Sequence, residues 1–220
     1  MEELVQLNKR DPLRRNVESE VDTEGMSPMD PPDAYSPTKV EGVDYGNLHP
    51  YLQELISEHT PIKEAVDVLE QELKRIKEHG VSRETNDAIS KFFEFFDQEV
   101  LRHARVEDMS LFPMLHERLL EVGEHSKGPE NTSAIDMMAD EHERSLQLAT
   151  IVFSFFSLMS RLPDADSRSV VLTMAVDQAE NLVELMRLHL FREEEVVFPL
   201  AQKYLSKEQL DKAQALASGK

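Results

Sequence analysis

HARVEDMSLFP at 103–113 and HLFREEEVVFP at 189–199 are two copies of one phrase. Each opens on His, places Glu four residues later and closes on Phe-Pro. A chain with only eight histidines repeats this arrangement. A four-residue step along an α-helix advances ~6 Å and turns the side chain by only ~40°, so each His shares a helix face with its Glu. The fold follows from asking what else lies on those faces.

Around the two phrases, apolar residues recur at three- and four-residue intervals, the seam of a helix packed in a bundle. The first such segment carries Leu52, Leu55, Ile62, Val66, Leu69, Leu73 and Ile76. The second carries Ile89, Phe93, Phe96, Val100, Leu111 and Met114. Ile135, Met138, Ala149, Val152, Phe156 and Met159 mark the third; Leu172, Val176, Ala179, Leu182, Met186, Val196 and Leu200 mark the fourth. Turn-forming sequence separates them at 79–82, 123–133 and 162–167. Asn47 and Pro50 suit a helix start, and Ser206 with Gln209 suits the capping box of a short final helix. No stretch alternates with period two over strand length. The expectation is all-α: an up-and-down antiparallel four-helix bundle over 46–204, a short C-terminal helix within 205–220, and a flexible tail over 1–45, where prolines cluster and periodicity is absent.

Each seam has a polar interruption. His59 falls between Leu55 and Ile62, and His103 and Glu107 follow Val100. His142 lies four residues past Met138; His189 and Glu193 lie between Met186 and Val196. In an antiparallel hairpin, facing residues are equidistant from the turn. The midpoints of 59 and 103, of 103 and 142, and of 142 and 189 fall at 81, at 122–123 and at 165–166, all on turn sequence. Four imidazoles and two carboxylates therefore share one layer. Six buried polar groups make a poor core unless something satisfies them, and a metal does so. Imidazole with bridging carboxylate suits iron, manganese or zinc. Two ions, each held by two His and bridged by both Glu, would keep positions open for a small ligand. Glu58 and Glu141 precede ligand histidines but point off the seam, which suits an outer role. His79, ~30 Å along a straight helix from His59, reads as a helix-end residue before Gly80. His49, His116 and His125 have no seam position. Pro61 predicts a kink just past His59.

Composition narrows the function. A formal charge of −19 leaves no positive face for nucleic acid. The absence of cysteine excludes disulfides, thiolate metal sites and iron–sulfur clusters. No apolar run approaches membrane-spanning length and the N-terminus lacks an apolar leader, so a cytoplasmic protein is expected.

The ordered set His59, His103-x-x-x-Glu107, His142, His189-x-x-x-Glu193 resembles the hemerythrin-like HHE family over about 50–202. The resemblance implies a non-haem di-iron centre with histidine terminal ligands and bridging carboxylates. It further implies binding or sensing of O2, NO or iron, or a role in repair of iron centres. Two features depart from the oxygen carriers of that family. Leu146 stands where they have a second His, and they place the last carboxylate five residues after its His, the position of Glu194 here. Glu193 repeats the Glu107 spacing and is preferred. A di-iron enzyme of peroxidase or ferroxidase type, and a helical interaction module without metal, are the rival readings.

Overall fold

The computed structural model describes residues 45–126 and 131–219. The tail expected over 1–45 lies outside the described residues except for Tyr45, which opens a 3-10 turn, Tyr45–Asn47. All the regular structure among the described residues is helical.

Helix α1, Pro50–His79, starts where proline lacks an N–H that would need a partner. Its cap is His49, not Asn47: the His49 Nδ1 accepts the Tyr51 N–H at 3.2 Å. The helix continues through Pro61. It ends at Gly80, whose φ of 78° suits a residue without Cβ. A Ser82–Thr85 capping box starts α2, Arg83–Phe95. A π turn, Phe96–Val100, joins α2 to α3, Leu101–Met109. After Ser110 comes α4, Leu111–Glu121. Ser133 and Asp136 box the start of α5, Ala134–Met159. Asp164 accepts the Ser167 N–H at 2.7 Å and caps α6, Ala165–Arg192. A second π turn, Glu193–Val197, leads into α7, Phe198–Tyr204. The Ser206–Gln209 box then opens α8, Lys207–Ala217.

The chain thus makes four helical arms: α1, α2–α4, α5 and α6–α7. The second and fourth are not single α-helices as the seam implied. In each, the ladder breaks before a Phe-Pro, because Pro113 and Pro199 offer no N–H to the preceding turn. Ser110 leaves helical geometry at φ −125° and ψ −65°, and the second π turn lodges one extra residue. Both events re-phase the seam. Leu115 and Val197 are buried where Met114 and Val196 were expected, and those two are only half-buried.

Helix α1 packs on α2 and α6, α5 on α6, and α4 on α5, while α8 closes against α1, α3 and α4. Two apolar cores result. One gathers Ile62, Val66, Phe92, Phe96, Val152 and Met186 among others. The other gathers Leu52, Leu55, Leu115, Met138, Phe198 and Leu210 among others. All four arms contribute to both, and between the cores lies the polar layer.

Candidate metal centre

His59 sits in mid-α1, His103 and Glu107 on α3, His142 on α5, and His189 near the end of α6. Glu193 is the first residue of the second π turn. The structure brings all six together. Glu107 and Glu193 are fully buried, and the four histidines nearly so. They divide into two groups that could hold a metal ion: His59, His103, Glu107 and Glu193, and His142, His189, Glu107 and Glu193. Within each group the ligand atoms lie within 4.8 Å of one another, and both groups share the two carboxylates.

The histidines aim their Nε2 atoms inward. His59 Nε2 is 3.1 Å from His103 Nε2 and 3.2 Å from Glu193 Oε2. His189 Nε2 is 3.0 Å from Glu193 Oε1, and His142 Nε2 is 3.5 Å from Glu107 Oε2. Every Nδ1 faces outward to a carboxylate: His59 to Glu194 at 2.7 Å, His103 to Glu58 at 2.9 Å, His142 to Asp108 at 3.0 Å and His189 to Glu141 at 3.0 Å. Such a partner fixes tautomer and ring orientation and raises the basicity of the inward nitrogen. Cations hold three of these carboxylates in turn. Lys63 donates to Glu194 at 2.6 Å, Arg102 pairs with Glu58 at 3.3 Å, and Arg192 donates to Glu141.

Despite this crowding, both oxygens of Glu107, both oxygens of Glu193 and the Nε2 of His142 are buried without an aligned hydrogen-bond partner. Leaving such groups unpaired costs about 1–3 kcal/mol each. Protons take up part of the imbalance. Burial disfavours charge on His59, yet Glu193, Glu194 and Glu107 together raise it to about 9. His142 rises to about 11, against burial, under Asp108, Glu107 and Glu193. His189 rises to about 9, again against burial, under Glu193 and Glu141. Burial and the charge of Glu193 push Glu107 upward. Glu193 is held well below the carboxylate range, against burial, by His189, His142 and His59. Positive charge is demanded at this layer, and the orphaned atoms converge on the places where an ion would supply it. Four imidazoles with two carboxylates and no sulfur fit iron, manganese or zinc.

The layer is closed on the side of the α8 core, where the Phe198 ring stacks on His59 at 5.7 Å and Phe112 on His142 at 5.5 Å. On the other side lies a cavity of about 30 Å³. Its lining includes the rings of His103, His142 and His189, the apolar side chains of Phe96, Met186 and Leu190, and Ser145.

Several members were not evident from spacing. Asp108 follows Glu107 on what reads as a solvated face, and only the approach of α5 gives it His142. Glu194, weighed as a bridging carboxylate, instead orients His59; Glu58 and Glu141 take the outer role expected of them. His79 stays away from the site, its side chain 77% exposed and 3.5 Å from Glu78. His49 caps α1 and meets Asp211 at 3.1 Å, and His116 bonds Ser133.

No helix among the described residues is long and apolar enough to cross a membrane. No curated protein and no solved structure gives a significant match to the chain. The family model of the hemerythrin HHE cation-binding domain matches residues 51–201. That span runs from the first turn of α1 into α7 and takes in all six inward-facing polar residues, so the chain belongs to the hemerythrin HHE cation-binding family.

Proposed function

We propose that the four arms form an up-and-down antiparallel four-helix bundle around a non-haem di-iron centre that binds or senses a diatomic ligand, O2 or NO. His59 and His103 would hold one ion and His142 and His189 the other, with Glu107 and Glu193 shared. The observation that carries this reading is the pair of four-residue groups with two carboxylates in common, whose buried oxygens have no other aligned partner. Iron held there would supply a positive charge for those oxygens and a Lewis-acid centre for a small ligand.

The chain's own residues do the rest. Glu58, Glu194, Asp108 and Glu141 hold each imidazole with its Nε2 toward the centre. Phe112 and Phe198 exclude water from one side. The size of the cavity supports a small ligand. About 30 Å³ holds one water-sized molecule, whereas organic ligands occupy pockets of roughly 300–1,000 Å³. Binding or sensing of a diatomic is therefore favoured over turnover of an organic substrate.

The test is anaerobic Fe²⁺ titration of metal-free protein, followed by absorption spectra before and after admitting air or NO. Saturation at two irons per chain with a new ligand-dependent band is the expected result. Saturation at one iron or none refutes the di-iron reading. Parallel titrations with Zn²⁺ and Mn²⁺ rank the metals, since the donor set accepts all three.

A further inference from the structure

We infer that a small apolar gas reaches the centre through a surface groove between the second and third arms, with the Phe96 ring as the partition. This rests on the reading that the site takes a diatomic ligand. The groove has a volume of about 160 Å³ and is lined by the apolar Phe93, Phe96, Leu146, Ala149 and Phe153, with Asp97 and Thr150 as its polar members. The 30 Å³ cavity against His103, His142 and His189 is also lined by Phe96. One ring, 1% exposed, therefore forms a wall of both hollows. Ser145 lines the cavity and its neighbour Leu146, 45% exposed, lines the groove, so α5 passes from one to the other within a single residue.

Several other directions are obstructed. Toward the α8 core, Phe112 and Phe198 stack on the ligand rings. Around the rim, the pairs Lys63–Glu194, Arg102–Glu58 and Arg192–Glu141 close the outer edges of three histidines. An apolar molecule gains nothing by parting ion pairs but gains by leaving water for the apolar wall of the groove. Phe96 opens the π turn, where the Leu101 N–H bonds the Phe96 carbonyl five residues back. The wide turn carries Phe96 and Val100, both of which line the cavity. Ring motion of Phe96 is the step that admits the gas.

The experiment uses the full chain in two states. In metal-free, methyl-labelled protein under oxygen pressure, paramagnetic relaxation is read at cavity methyls (Leu101, Ala104, Leu190), groove methyls (Leu146, Ala149) and the distant core methyls of Leu115 and Leu119. Strong relaxation at the first two sets relative to the third is expected. Cavity methyls no more relaxed than Leu115 overturn the inference. In iron-loaded protein, NO association and dissociation are then followed in Leu146→Trp, which plugs the groove from an exposed position, with exposed Val170→Trp as the control. Leu146→Trp should slow both rates by the same factor, about tenfold, with no change in equilibrium affinity. Unchanged rates in a Leu146→Trp protein that still binds NO overturn the route and leave the functional reading standing. If wild type binds no NO, the functional reading fails, and the oxygen pattern alone decides the route: relaxation at the cavity without relaxation at Ala149 overturns it.

Discussion

Replacing Glu107 by methionine should stabilise the metal-free protein and abolish its stabilisation by metal. Glu107 is fully buried with neither oxygen in an aligned hydrogen bond, and its neighbours at 3.5 and 3.6 Å are His142 and His103. Burial and the Glu193 charge raise its affinity for a proton, so burial of its charge is disfavoured in the metal-free protein. The unsatisfied carboxyl costs about 1–3 kcal/mol. An apolar chain of similar volume removes that cost, less up to about 1.5 kcal/mol for imperfect packing. A net gain of about 1 kcal/mol raises Tm by about 2–4 °C in a chain of this size. Metal has the opposite effect. At a hundredfold excess over Kd, wild type gains about 2.7 kcal/mol, or about 5–10 °C. Glu107→Met loses a carboxylate common to both groups and should gain almost nothing. Thermal melts followed by circular dichroism, with and without Zn²⁺ or anaerobic Fe²⁺, give all four values. A metal-free variant less stable than wild type would show that Glu107 supports the fold rather than waits for an ion. A variant that gains as much from metal as wild type would remove Glu107 from the ligand set.

Three further outcomes follow from the same geometry. Asp108→Asn, which weakens the hold on His142 Nδ1, should lower metal affinity about 10- to 100-fold in competitive titration while far-ultraviolet circular dichroism stays unchanged. Loading at neutral pH should release about three protons, because His59, His142 and His189 titrate at about 9, 11 and 9 and metal binds the neutral ring; calorimetry in two buffers of different ionisation enthalpy counts them, and zero release refutes the raised values. The metal-free fold should lose stability in alkali. These histidines bind protons more tightly folded than unfolded, so their contribution is complete below about pH 6.5 and declines as pH passes through about 9 and then 11. Urea unfolding across that range checks the sign, and a midpoint that rises with pH contradicts it.

The helices and the six inward polar residues were legible because both depend on spacing along one chain. Leu55, His59 and Ile62 share a face whatever packs on it, and the turn midpoints relate heights without knowledge of contacts. What escaped the sequence depends on backbone accommodation or on a neighbouring arm. Nothing in FDQEV or EEEVV marks a π turn; it arises where packing and, in the fourth arm, Pro199 make an extra residue cheaper than a regular ladder. The exchange of Val196 for Val197 follows from it. Pro61, where a kink is expected, stays inside one continuous helix, with the tertiary packing of Leu55, Ile62 and Val66 on both sides of it. The contacts of Asp108 and Glu194 escaped spacing because their partners come from α5 and α1.

The repeated phrase describes neighbours rather than the helix that carries it. Glu58, just before His59, orients His103, and Glu141, just before His142, orients His189. Asp108, just after Glu107, orients His142, and Glu194, just after Glu193, orients His59. Phe112 and Phe198, each nine residues past the His of its phrase, stack on His142 and His59. Exchange of arms one and two with arms three and four reproduces every one of these contacts, so the two halves of the centre are built by one rule. The rule fails one turn beyond the His of α1 and α5. Lys63 stands there on α1 and pairs with Glu194; Leu146 stands there on α5, and among the described residues Asp108 meets no cation but His142. A charge closes one half and an apolar side chain lines a groove at the other. The His59–His103 group thus borders the edge closed by Lys63, while the groove lies beside His142 on the other half, and the inner cavity touches His103, His142 and His189 alike. Two chemically similar ligand sets sit in unlike surroundings: Lys63 closes the outer edge beside His59, and Leu146 offers an apolar one beside His142.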